Sequence, residues 1–289
     1  MKTVALWVAL MAVSGACGQD SIPSWKKAAV YGSISAAAVG SMAYLSQSWY
    51  ADQPRTDFHF FNDNAQWLGM DKWGHAFTTY QTGRMGYLSF RSAGMPKRSA
   101  LIWGANVGFL FLAGVEVLDG FSPAWGYSPG DMLANAAGSG LFISQEALWD
   151  EQRVQIKFSA RMTPYAPQRP DLLGKTPLER IIKDYNGQTY WLTTSPGMWT
   201  QEGRLPRWLG VSVGYGADGM LSGHPESALF PDQQRTRLFY LAPDILLDQI
   251  PFRSKALRLA ALWLSWVKIP LPALGITDEG GLRFRAVGF

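Results

Sequence analysis

Three pairs of polar residues interrupt otherwise apolar sequence at helical spacing. They are Asp71 with His75, Glu116 with Asp119, and Asp131 with Asn135. A spacing of i,i+3 or i,i+4 puts both members of a pair on one helix face. If three helices run up, down and up, the pairs fall near the start of the first, the end of the second and the start of the third. All three then converge at one end of a bundle. Four carboxylates and an imidazole gathered there must bind something, share protons or be held by basic partners.

Each pair admits a specific chemistry. His75, one turn after Asp71, suits a metal ligand or a general base oriented by a carboxylate, and equally a helix-capping Asp beside a hydrogen-bonded His. Glu116 and Asp119 end a helix, where the dipole disfavours anions by ~0.3–1 kcal/mol each. Their place there points to a nearby cation: a metal ion, Lys72 or Arg84. Asp131 is at ease at a helix start, and Asn135 can ligate through its amide oxygen. The expected ligand set is Asp71, His75, Glu116, Asp119, Asp131 and Asn135. One imidazole among oxygens suits Mg²⁺, Ca²⁺ or Mn²⁺, and Zn²⁺ less well. A structural buried polar network is the rival reading. His59, in the loop between Asp57 and Asp63, enters at the Asp71 end and could approach the cluster.

The elements that must position these residues are helices. Ala28 to Ala51 is uncharged and rich in Ala, Gly and Ser, which suits close helix packing. A second helix is expected from about Leu68 to Phe90. A third runs from Ser99 through Val115 to the Glu116–Asp119 pair. In the fourth, Ser128 caps, Pro129 takes the first position, Asp131 the third, and the helix reaches about Trp149. These lengths approach the roughly 20 residues that cross a bilayer. Basic residues cluster at Lys26/Lys27, Arg91 to Arg98 and Arg153 to Arg161, which a four-span protein would keep in the cytoplasm. The N-terminus argues for export, so a periplasmic, membrane-apposed bundle is expected.

That N-terminus has Lys2, an apolar run from Thr3 to Val13, and small residues at Ser14, Gly15 and Ala16, as an export signal does. Cys17 follows, the only cysteine in 289 residues. With no disulfide partner, its place suggests a lipoprotein cleavage site at which it becomes the lipidated N-terminus. Ordinary cleavage near Ala16 or Gly18 and an uncleaved anchor are the alternatives. All three put the mature protein outside the cytoplasm, in the periplasm or at the outer membrane. Composition agrees: 47% of the residues are hydrophobic and only 17% charged, where about a quarter is usual. The net charge of +4 is scattered, with no stripe that would bind nucleic acid.

After Pro164, Pro167, Pro170 and Pro177 the character changes. A short helix is expected at Pro177 to Tyr185 and an apolar one at Leu257 to Val267. Strand-like runs fall at Gln188 to Thr194, Trp208 to Tyr215, Arg237 to Leu247 and Leu282 to Phe289. That is too few for a membrane barrel, whose smallest members have about 8. A small antiparallel sheet that meets a membrane or an outer-membrane protein partner is expected. Gly214-x-Gly216-x-x-Gly219 follows a strand but runs into Ser222-Gly-His224-Pro225, which cannot open a helix. It reads as a glycine-rich loop with a surface His224, and no nucleotide is expected. The chain therefore divides into residues 1–18 as signal, 19–160 as a bundle of about four helices, and 161–289 as a β-rich extension: an α+β protein.

The motifs Asp71-Lys72-x-x-His75-Ala76-Phe77, Glu116-x-x-Asp119, Trp125-Gly-Tyr-Ser128 and Asp131-x-x-x-Asn135-x-x-Gly138 resemble a family of predicted periplasmic lipoproteins, a domain of unknown function. Their order also resembles the VanZ-like membrane proteins. The resemblance covers roughly Gly69 to Leu141, and the later half, with Asp184 to Leu192, is similar to an extension found in some members. It implies an envelope location and no established activity. Two functions stay open. One is a non-enzymatic envelope component whose cluster is structural or binds a cation or partner. The other is a metal-assisted hydrolase or transferase acting on a lipid or cell-wall precursor. There His75 would be base or ligand, Asp71, Glu116 and Asp131 ligands, and Lys72 an anion stabiliser. The chain has no nucleophile elbow, P-loop or His-Glu-x-x-His, which favours the first.

Overall fold

Helices occupy the first half of the chain and a six-stranded antiparallel sheet the second, in a computed structural model that describes residues 23–45, 55–200, 204–224 and 234–288. The fold is thus α+β. The signal segment, Cys17, Pro225 and Phe289 lie outside the described residues. The chain forms two compact units: Met1–Asp63 with Thr78–Glu151, and Asn64–Phe77 with Gln152–Phe289.

In the helical unit, α1 (Ser24–Leu45) buries Val30, Ile34 and Ala37, with Tyr31 partly buried beside them, against Ala93, Phe90 and Val107. Helix α2 (Met70–Ser92) contributes to this unit from Thr78 onward. Helix α3 (Val107–Asp119) is preceded by a short turn at Lys97–Ser99 and a π-helical turn at Ala100–Gly104, closed by the Ala105 amide on the Ala100 carbonyl at 3.0 Å. The closest approach uses glycines. A Cβ on Gly83 would stand 2.5 Å from the Ala105 carbonyl oxygen, and one on Gly86 would strike that of Gly104. Helix α4 (Pro129–Trp149) begins where the Ser128–Pro129 signature places it. The stretch Lys97–Asp119 is, among the described residues, the one helix long and apolar enough to cross a membrane.

The sheet-bearing unit is a meander, β1 (Val154–Ala160), β2 (Gln188–Thr194), β3 (Leu209–Asp218), β4 (Thr236–Ile245), β5 (Ala273–Thr277) and β6 (Leu282–Arg285), each antiparallel to the next. Two short helices, α5 (Pro170–Leu173) and α6 (Pro177–Lys183), precede β2, and α7 (Lys255–Leu264) precedes β5. The first two turns of α2 pack here. Met70, Trp73 and Phe77 join Tyr190, Ala217, Met220, Tyr215 and Phe158, and a Cβ on Gly74 would lie 3.1 Å from the Tyr190 hydroxyl. Ahead of α2, Trp67, Leu68 and Gly69 all take positive φ (47°, 52° and 75°). This left-handed run is held by the Trp67 amide on the Gly223 carbonyl and the Tyr215 hydroxyl on that of Leu68.

Strands β1 and β5 were not expected from the sequence. β1 carries Gln155, Lys157 and Ser159 on a fully buried face, so no apolar alternation marks it. Lys157 donates to Asp244 at 2.9 Å and to the Ile245 carbonyl at 2.9 Å, and Thr193 and Ser212 also donate to Asp244. Lys268 lies 3.7 Å from the same carboxylate and over the Trp191 ring. Gly214 and Gly216 sit in β3, and Gly219 turns the chain at φ 76°, so the glycine motif is strand and turn, and the described residues up to His224 form no helix after it.

Candidate functional site

One residue, Ser128, gathers the acidic cluster of the helical unit. Its side chain caps α4 by accepting the Asp131 amide at 3.1 Å, as the short Ser-Pro-x-Asp signal requires. Its hydroxyl donates to Asp63 at 2.6 Å. Its own amide donates to Glu116, at the end of α3, at 3.1 Å. Asp63 arrives because residues 56–61 run beside the α3–α4 connection, with His59 and Phe61 amides on the Gly120 and Tyr127 carbonyls. A carboxylate oxygen of Asp131 lies within 4.8 Å of one from Glu116 and one from Asp63.

The cluster is withdrawn from water. Glu116 is 2% exposed, Asp131 5% and Asn135 0%. Burial is the main reason the Glu116 carboxyl is raised from an ordinary 4.5 to about 8. The Asp131 charge adds to that rise, the Ser128 amide opposes it, and Asp119 and Asp63 add smaller contributions. The buried face of α4 continues the polar character through Asn135, Ser139 and Gln145.

Glu116, Asp119, Asp131 and Asn135 are therefore in the helical unit, with Glu116 and Asp131 side by side and Asp119 half-buried within electrostatic reach. Asp71, Lys72 and His75 stand on the first turns of α2, in the sheet-bearing unit. Asp71 accepts both the amide and the ammonium of Lys72 at 3.0 Å, so this Lys is engaged by its neighbour. The His59 ring lies against the Trp125 carbonyl at 2.9 Å and the Asp57 carbonyl at 3.3 Å. His224 is exposed. Asp63 was missed as a cluster member. It lies in a loop, where no periodicity reveals which side chain turns inward, and its only sequence signal is the polar run Asn62-Asp63-Asn64.

The cluster has the composition of a hard-cation site. Carboxylate oxygens within 4.8 Å of one another are close enough to share one ion, whose ligands stand at about 2.3–2.6 Å. It is equally a proton store, since a carboxyl at about 8 holds its proton at neutral pH.

No curated protein and no solved structure matches the chain. Residues 57–145, which carry Asp63, Ser128 and every site residue from Asp71 to Asn135, match the family model described as predicted periplasmic lipoprotein (DUF2279). This segment is similar to that family, whose function is unknown and whose description, like the N-terminal sequence, points to the periplasm.

Proposed function

We propose that this protein is a cation-binding component of the cell envelope, non-enzymatic, with Asp63, Glu116 and Asp131 as ligands around the Ser128 cap. The observation that carries the reading is Glu116, buried beside Asp131 and raised to about 8. A divalent cation would displace its proton and neutralise the carboxylates together. The oxygen donors favour Mg²⁺, Ca²⁺ or Mn²⁺ over Zn²⁺, and the Asn135 amide oxygen is a further donor on the same face of α4. The lipid anchor is proposed to sit on Cys17.

The engagement of Lys72 by Asp71 speaks against Lys72 as an anion stabiliser, and so against the hydrolase or transferase alternative. The test is elemental analysis by mass spectrometry of the purified protein after dialysis against each metal, with Asp131→Asn and Glu116→Gln beside wild type. Stoichiometric Mg, Ca or Mn in wild type, lost in both variants, is the expected result. No metal retained at any pH from 5 to 9 would overturn it. Asp71→Asn and His75→Ala arms decide whether the α2 pair contributes: unchanged affinity would confine the site to the helical unit.

A further inference from the structure

The inner face of the sheet mixes buried polar residues with a core of Trp191, Leu238, Ala242 and Ala273, and its outer face is apolar. Buried residues alternate with more exposed ones along β4 and along β3 as far as Gly216. The buried positions include Ser212, Gly214, Leu238, Tyr240, Ala242 and Asp244, and the exposed ones include Val211, Val213, Phe239 and Leu241. Register carries the pattern across the strands. Val213, Leu241, Leu274 and Phe284 are consecutive partners, and so are Tyr215, Phe239, Ile276 and Leu282. The start of α2 covers this face over β1 and β2, through Phe77 against Phe158 and Tyr190. Trp73 also stacks on Tyr215 of β3, and among the described residues the rest of this face out to β6 is exposed: Leu274 is 63% exposed, Phe284 69% and Leu282 88%. A groove of about 650 Å³ crosses it, lined by Leu209, Val211, Leu241, Pro243, Leu274 and Phe284 among others.

We propose that this face rests on an anionic lipid surface, with its apolar side chains in the acyl boundary. Two observations select lipid over a protein partner. First, every residue lining the groove is apolar or glycine. A protein interface carries roughly one hydrogen bond per 100–200 Å², and hydrocarbon needs none. Second, the rim carries lipid-interface chemistry. In the segments that lead into β3 and follow β4 along the chain, Arg204, Arg207, Arg253, Lys255 and Arg258 are exposed, and so are Trp199 and Trp208. Basic side chains meet anionic headgroups there, and Trp settles at headgroup depth. β3 and β4, ten residues each, have the length of a membrane-crossing strand. The sheet nevertheless lies on the surface rather than crossing it, because the outer edge of β6 would leave backbone groups unsatisfied in hydrocarbon.

The test uses the full chain with Cys17→Ser, so that no lipid anchor contributes, and an environment-sensitive fluorophore on Leu274→Cys. Mixed phosphatidylethanolamine and phosphatidylglycerol vesicles should shift the emission to the blue. A label on Ile182→Cys, exposed on α6, should not respond. In flotation, Leu274→Ser/Phe284→Ser should weaken binding about tenfold or more, and high salt should weaken it further. A silent Leu274 label, or flotation unchanged in the double variant, would overturn the proposal. So would a blue shift without vesicles that tracks dimer formation in sedimentation, because a second copy would then cover the face.

Discussion

Two of the buried polar centres among the described residues are balanced differently. In the sheet-bearing unit, Asp244 stands between Lys157 and Lys268 and accepts from Thr193 and Ser212. Opposite charges come from the chain itself, placed by strand register. In the helical unit, burial and the neighbouring carboxylates Asp131, Asp119 and Asp63 all act to keep Glu116 protonated, and the Ser128 amide opposes them. The first centre is a structural solution to buried charge. The second keeps a proton on Glu116 at neutral pH, and the proposed function has a cation displace it.

The contrast is broken most severely at Asp244. Asp244→Asn leaves two ammonium groups around a neutral amide and should cost about 3–5 kcal/mol in chemical unfolding at neutral pH. Glu116→Gln should do the opposite in metal-free protein. The folded carboxyl titrates near 8 and the unfolded one near 4.5, so the native state binds more protons between those values. Stability then falls as pH rises through that window, by up to about 5 kcal/mol at about 1.4 per unit. The Gln variant lacks this loss and should be the more stable protein at pH 8.5. Gly86→Ala, which drives a Cβ into the Gly104 carbonyl, should cost about 1–3 kcal/mol through backbone displacement. Ser128→Ala removes the α4 cap and should cost about 1–2 kcal/mol. It should also raise the Glu116 titration only slightly, because the amide that opposes the rise belongs to the backbone. The smallest effect is at Gly69, whose φ of 75° faces open space: Gly69→Ala should cost about 1 kcal/mol from backbone strain alone.

Much of this was legible wherever a period or a cap carried the signal. Ser128-Pro129 fixed the start of α4, and the i,i+4 spacing of Asp131 and Asn135 put both on its buried face. β2 was expected over its full extent, and β3 and β4 within a few residues. β1 was hidden because its buried face is Gln155, Lys157 and Ser159, residues that read as solvent-facing until Asp244 and Asp248 supply their partners across the sheet. β5 was hidden by its length, five residues after Pro270 and Pro272. Asp63 was hidden because a loop residue's direction is set by the hydrogen bonds of residues 56–61, which no local pattern encodes. The apolar outer face was present in the alternation of β3, yet alternation alone does not say which set is buried. The glycines and serine at 210, 212, 214 and 216 mark the inward set, because only small residues fit where Thr193, Leu246 and Trp191 press against them.

The most direct test of the central claim is thermal unfolding of the metal-free protein from pH 5 to pH 9, with and without saturating Ca²⁺, Mg²⁺ or Mn²⁺. Stability should decline as pH rises toward 9 and be restored by one of these cations at the alkaline end, with both effects absent in Glu116→Gln. A wild-type profile that matches the Gln variant, and no response to any cation, would contradict the account.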